Sequence, residues 1–176
     1  MSAAVAGAFL GPFLGHRSNP AAALRAASFT DLSGRPRTLA EWGGKVLICN
    51  FWAPWCPPCR REIPMLIRLR AEWQASGLEV IGIGLDSVAN VAEFARSSGI
   101  DYPVVIPSGD AYALARSAGD SEEALPYTVV LDRSWRVVYR KLGELNEAAL
   151  RAKVEPLLRG SSAKVPAPRE SAPKLG

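Results

Sequence analysis

Residues 45–52 (KVLICNFW) form a near-continuous apolar run with no helical spacing. Such a run fits a strand covered on both faces, as in the middle of a parallel sheet. Residues 57–76 follow almost at once and place Met65, Leu66, Leu69 and Trp73 on one side, which predicts a helix. The joint between them reads Trp55-Cys56-Pro57-Pro58-Cys59. A buried strand that runs straight into a helix, with two cysteines at the junction, restricts the chain to α/β architectures in which the pair sits at a helix start.

The rest of the middle continues that alternation. Residues 78–85 (LEVIGIGL) read as a second buried strand. A helix over 88–98 ends at Gly99, a common helix terminator. A short strand over 102–106 and a short helix over 111–117 come next. Residues 127–132 and 135–141 make a hairpin, and a helix over 146–158 is capped by Asn146. Ahead of all these, residues 28–39 are polar and punctuated by Ser33-Gly34 and Pro36, which predicts a short hairpin at a sheet edge. Strand–helix–strand alternation implies parallel strands with right-handed crossovers, whereas the final hairpin is antiparallel. The expected fold is therefore a three-layer α/β/α sandwich around a mixed sheet. Pro64 is expected to interrupt the first long helix and kink it. Trp135 stands where the tight turn after Asp132 would favour glycine, so a locally altered loop is expected there.

The ends differ from the middle. Residues 1–27 carry an apolar stretch from Ala3 to Leu14 and small residues at Ala21, Ala22 and Ala23. The stretch is about half the roughly 20 residues of a spanning helix and suits the apolar part of a secretory signal. Residues 1–27 are read as a signal peptide or membrane anchor plus linker, with a disordered tail as the alternative. Residues 28–159 form the domain. Residues 160–176, rich in Pro, Ser, Ala, Gly and Lys, are read as a disordered tail. A core of useful size fits in 176 residues. The net charge of +4 comes from scattered arginines with no block of five basic residues, which argues against nucleic acid.

Three cysteines are too few for a disulfide scaffold. The single histidine, His16, lies far from the pair, so a four-ligand zinc site is not expected. Cys56 at a helix start meets unpaired N–H groups and the positive end of the helix dipole, both of which favour thiolate over thiol. Cys59, one turn on, is within bridging reach. Cys56 then attacks a partner disulfide and Cys59 resolves the mixed disulfide, with no cofactor required. Trp55 is expected to shield the flank of the pair. Pro57 and Pro58 stiffen the loop and remove two N–H donors, which tunes redox poise. Cys49, in the buried strand, is read as a small core hydrophobe.

The run Asn50-Phe51-Trp52-Ala53-Pro54-Trp55-Cys56-Pro57-Pro58-Cys59-Arg60-Arg61-Glu62-Ile63-Pro64 resembles the active-site signature of the thioredoxin superfamily, and more closely its TlpA/ResA-like branch. Leu125-Pro126-Tyr127-Thr128-Val129-Val130-Leu131-Asp132 is similar to the stretch that carries the superfamily's cis-proline. The resemblance implies a thioredoxin-like fold with an extra strand–helix insertion between the two blocks. It also implies a periplasmic, often membrane-tethered protein-disulfide reductase, re-reduced by a membrane electron donor. Clients of the branch belong to cytochrome c maturation or copper-site assembly. By the same resemblance the bond before Pro126 is cis and lies against the cysteine pair, leaving Leu125 backbone groups to pair with a partner peptide. Glu62 corresponds to a glutamate that tunes the cysteines and moves protons; the alternative is a surface glutamate paired with an arginine. Asn50 stands where thioredoxin has a buried acid, and an asparagine cannot take the proton of Cys59.

Two other readings carry different expectations. A Cu(I) metallochaperone would set Met or His near the pair, whereas the two methionines are Met1 and Met65, the latter in a predicted core position. A non-catalytic binding module on the same fold would have lost a cysteine or the proline.

Overall fold

The computed structural model describes residues 19–159. The signal and tail readings of residues 1–18 and 160–176 lie outside the described residues.

Seven strands form one sheet in the order β2-β1-β5-β4-β3-β6-β7. The strands are β1 Phe29–Asp31, β2 Pro36–Arg37, β3 Val46–Trp52, β4 Leu78–Gly84, β5 Val104–Pro107, β6 Tyr127–Leu131 and β7 Val137–Leu142. β3, β4 and β5 run parallel, whereas β6 and β7 are antiparallel to their neighbours and β1–β2 form the expected edge hairpin on β5. The helices are α1 Pro20–Ala26, α2 Pro57–Trp73, α3 Val88–Ser97, α4 Ala111–Ser117 and α5 Glu147–Arg159. β5 and α4 supply the strand and helix inserted between the two motif blocks. No helix among the described residues is long and apolar enough to cross a membrane.

β3 is buried at all seven positions because layers cover both of its faces. Val46, Ile48 and Trp52 face the cluster built by α2, α3 and α5, while Leu47, Cys49 and Phe51 face that of α1 and α4. The strand alternates its side chains between these two cores, which is why it reads as uniformly apolar. In β4, Gly82 leaves room for neighbouring rings. A Cβ there would come within 2.9 Å of Trp52 Nε1 and 3.0 Å of the Tyr102 ring.

Three local features differ from the sequence expectations. Pro20–Ala26, placed by sequence ahead of the domain, is a helix capped by the Asn19 side chain, with Ala21 and Leu24 buried in the core. Of the three alanines read from sequence as suiting a cleavage site, Ala21 packs inward and Ala22 is exposed. Pro64 does not interrupt α2, which runs on to Trp73, although the proline has no N–H to meet the Arg60 carbonyl. The turn after Asp132 keeps its tight form with tryptophan in the left-handed position, at φ 63°. Asp132 Oδ1 accepts from the Ser134 and Arg136 N–H groups, and the Trp135 N–H donates to the Asp132 carbonyl. The Trp135 ring packs on the α1 side of the core, with the Arg25 guanidinium 5.4 Å from its centroid.

Candidate active site

Cys56 is the N-cap of α2. Its backbone is extended at φ −91° and ψ 106°, and Pro57 and Pro58 occupy the first two helical positions, where an N–H would have no helical partner. The orphan N–H of Cys59 donates to Cys56 Sγ at 3.3 Å. The two sulfurs are joined in a disulfide, with Cα atoms 5.3 Å apart. Cys56 is 4% exposed and Cys59 fully buried, so only Cys56 reaches the surface. Trp55 beside it is 59% exposed and offers contact surface rather than cover.

Beneath the pair lies a buried polar cluster. Glu62, one turn beyond Cys59, points inward and is 2% exposed. Asn50 Nδ2 donates to Glu62 Oε1 at 2.7 Å and to Thr128 Oγ1 at 3.0 Å. The Leu145 N–H donates to Glu62 Oε2 at 2.8 Å. Burial pushes the Glu62 carboxyl from the ordinary 4.5 up to about 7, against the pull of the Leu145 and Asn50 donors, with a further upward push from Glu144. Its environment is thus the protein interior; the arginine beside it, Arg61, pairs with Glu144 instead. Asn50 orients Glu62 and cannot itself be the base. Asn50 and Thr128 sit opposite each other in the β3–β6 register, so the sheet fixes their spacing.

The Leu125–Pro126 bond is cis. The Pro126 carbonyl accepts from Gly143, while neither backbone group of Leu125 is paired with other backbone among the described residues. The Leu125 side chain packs against both cores, including the cluster that holds Cys56 and Cys59. Cys49 lies fully buried in β3, and burial pushes its thiol up to about 12, which makes it inert at neutral pH. Met65, on the inner face of α2, packs in the core.

Thr128 and the Leu145 N–H were not singled out by sequence. Thr128 left a trace as a polar residue in an apolar strand; the Leu145 amide left none, because every residue but proline has one.

The AhpC/TSA family model matches residues 19–140. The chain belongs to this family. Within it the chain groups with ResA-type thiol–disulfide oxidoreductases. Thiol-disulfide oxidoreductase ResA of Halalkalibacterium halodurans is 30% identical over 154 residues, covering 84% of this chain and 83% of that protein. ResA of Geobacillus thermodenitrificans is 34% identical over 109 residues, 61% of this chain and 60% of its own, so the chain spans about 60% of that relative's length. A secreted thiol-disulfide isomerase from Corynebacterium glutamicum has a similar structure, with a TM-score of 0.67 at 29% identity over 75% of this chain and 83% of that one. The fold is the α/β thioredoxin-like sandwich described above, and Cys56 and Cys59 are its CxxC disulfide pair.

Proposed function

We propose that this protein reduces disulfide bonds in client proteins within an exported compartment, the periplasm, with Cys56 as attacking thiol and Cys59 as resolving thiol. The observation that carries the reading is the sulfur of Cys56 at the α2 N-cap, receiving an N–H, with Cys59 buried behind it.

In the reduced protein the Cys56 thiolate attacks one sulfur of a client disulfide. A Cys56–client disulfide forms, and the first client thiolate leaves and takes a proton. Cys59 then gives up its proton, with Glu62 one turn away as acceptor, and attacks Cys56 Sγ. The second client thiolate leaves. Two electrons have passed to the client, and the Cys56–Cys59 disulfide is left for a membrane electron donor to reduce. A carboxyl with a pKa near 7 both accepts and returns a proton at neutral pH, which supports the role given to Glu62.

Trp55, Pro57 and Pro58 form the rim against which the client lies. Leu125 offers its unpaired backbone to the client strand beside cis-Pro126. The apolar, leader-like composition from Ala3 to Leu14 and the secreted relative support export, with an inner-membrane tether as the finer proposal.

The test is trapping. Cys59→Ser leaves the mixed disulfide unresolved, so it should accumulate clients through Cys56 that are released by dithiothreitol and identified by mass spectrometry. Cytochrome c maturation and copper-site clients are distinguished by what is trapped. A trap that gathers nothing from a periplasmic extract contradicts the reading.

A further inference from the structure

Beside Cys56, α2 and α3 enclose an open groove of 510 Å³ lined by Pro57, Arg60, Arg61, Ile63 and Pro64 from one side and by Phe94 and Ser98 from the other. Phe94 is held from below by Trp52, with ring centroids 5.5 Å apart, and carries the Arg60 guanidinium 5.3 Å above its own centroid. The groove thus has an apolar floor with a positioned cation at its edge.

The charge pattern of α2 singles out this cation. Arg61 pairs with Glu144, Arg68 with Glu147, and Arg70 with Glu79. Arg60 alone of the four has no carboxylate partner among the described residues. It also lies near the positive end of the helix dipole, where a cation is locally unfavourable. A residue that breaks a local rule beside a reactive centre points to a functional demand.

We infer that this groove docks a client segment that carries a carboxylate side chain close to its reacting cysteine, with Arg60 as the residue that reads it. The inference rests on the oxidoreductase reading above and adds the chemistry of the client. Four residues of helix separate Cys56 from Arg60, a rise of about 6 Å. An extended client covers that in about two residues, and the reach of the two side chains extends it to about three. The selected carboxylate therefore stands two or three positions from the client cysteine, and an apolar neighbour meets Phe94.

The test uses two octapeptides, each with one cysteine as its mixed disulfide with 2-mercaptoethanol. One carries glutamate three positions either side of the cysteine, the other lysine. The readout is the ratio of their kcat/KM values, which cancels any effect of Arg60 on the ionisation of Cys56. The wild-type protein should prefer the glutamate peptide by about threefold to fivefold, the size of one partly exposed ion pair, and 0.5 M NaCl should shrink the preference. Arg60→Glu should abolish or invert it. Arg68→Glu, the same change of charge about 12 Å further along the helix, should preserve it. Equal rates on the two peptides in the wild type, or a ratio that R60E leaves intact, overturn the inference. So does a ratio moved as much by R68E, since the effect would then be overall charge. Hydroxyethyl disulfide, neutral and small, reports thiol exchange independently. Turnover of it without peptide preference condemns the docking groove alone, whereas no turnover condemns the oxidoreductase reading and the groove together.

Discussion

The Asn50 amide donates to Glu62 Oε1 at 2.7 Å inside the protein, beneath the cysteine pair. Asparagine thus holds the titratable group instead of being one. The buried acid stands on the helix, one turn from Cys59, and the strand supplies a neutral donor that keeps it in place. Burial sets its proton affinity near neutrality, while the two N–H donors keep the ionised form accessible.

Glu62 is therefore a source of pH-dependent stability. Its carboxyl has a higher pKa folded than unfolded, so the favourable contribution is complete below about pH 4.5 and is lost as pH rises through about 7. The loss is on the order of 3 kcal/mol, at about 1.4 kcal/mol per pH unit. Glu62→Gln should flatten this slope. Urea unfolding of the oxidised protein between pH 4.5 and 7.5 measures it, and parallel profiles for the two proteins would contradict the assignment.

Asn50→Ala removes a donor to the carboxylate and leaves Thr128 without its partner. The Glu62 pKa should rise further, because the ionised form loses a hydrogen bond. Stability at pH 7 should fall by about 1–3 kcal/mol, the range for a broken buried polar pair. The pH profile of Cys56 alkylation reads the first effect and chemical unfolding the second. A profile unchanged in N50A would mean that Asn50 does not support Glu62.

Trp135 combines a strained backbone with a useful side chain. At φ 63° a non-glycine residue carries about 1–2 kcal/mol of strain, while its ring packs on the core and on Arg25. Trp135→Ala loses the packing and keeps the strain; Trp135→Gly loses the packing and relieves it. The glycine variant should be more stable than the alanine variant by about 1 kcal/mol. Equal midpoints in thermal unfolding would show that the turn relaxes.

Leu24 is fully buried on α1. Leu24→Ala should destabilise the domain by about 2–5 kcal/mol, as for other buried leucines. A change below about 0.5 kcal/mol, measured by urea unfolding, would make α1 an accessory and restore a domain start near residue 28.

The strands and helices that build the site were legible because their signals are local. The apolar run of β3, the Cys-Pro-Pro-Cys joint and the Leu125-Pro126 block each carry their own pattern within a few residues. Resemblance gave the cis bond, which composition alone could not. Residues 20–26 were placed ahead of the domain because Ala21, Ala22 and Ala23 suit a cleavage site, and only tertiary contact shows Ala21 and Leu24 packed in the core. The environment of Glu62 stayed open because its partners, Asn50 and Leu145, lie 12 and 83 residues away in sequence. Trp135 misled because glycine is only the cheapest way to occupy a left-handed turn position, and Asp132 and the core together hold a tryptophan there.

The account depends on Cys56 being ionised near neutral pH by the helix end it caps. Its titration is the direct test, read from the rate of iodoacetamide alkylation of the reduced protein between pH 4 and 10, with Cys56 followed by peptide mass spectrometry. An apparent pKa at least about one unit below the free-cysteine value of about 8.5 is predicted. A value at or above 8.5 would contradict it, for the sulfur would then draw nothing from the helix.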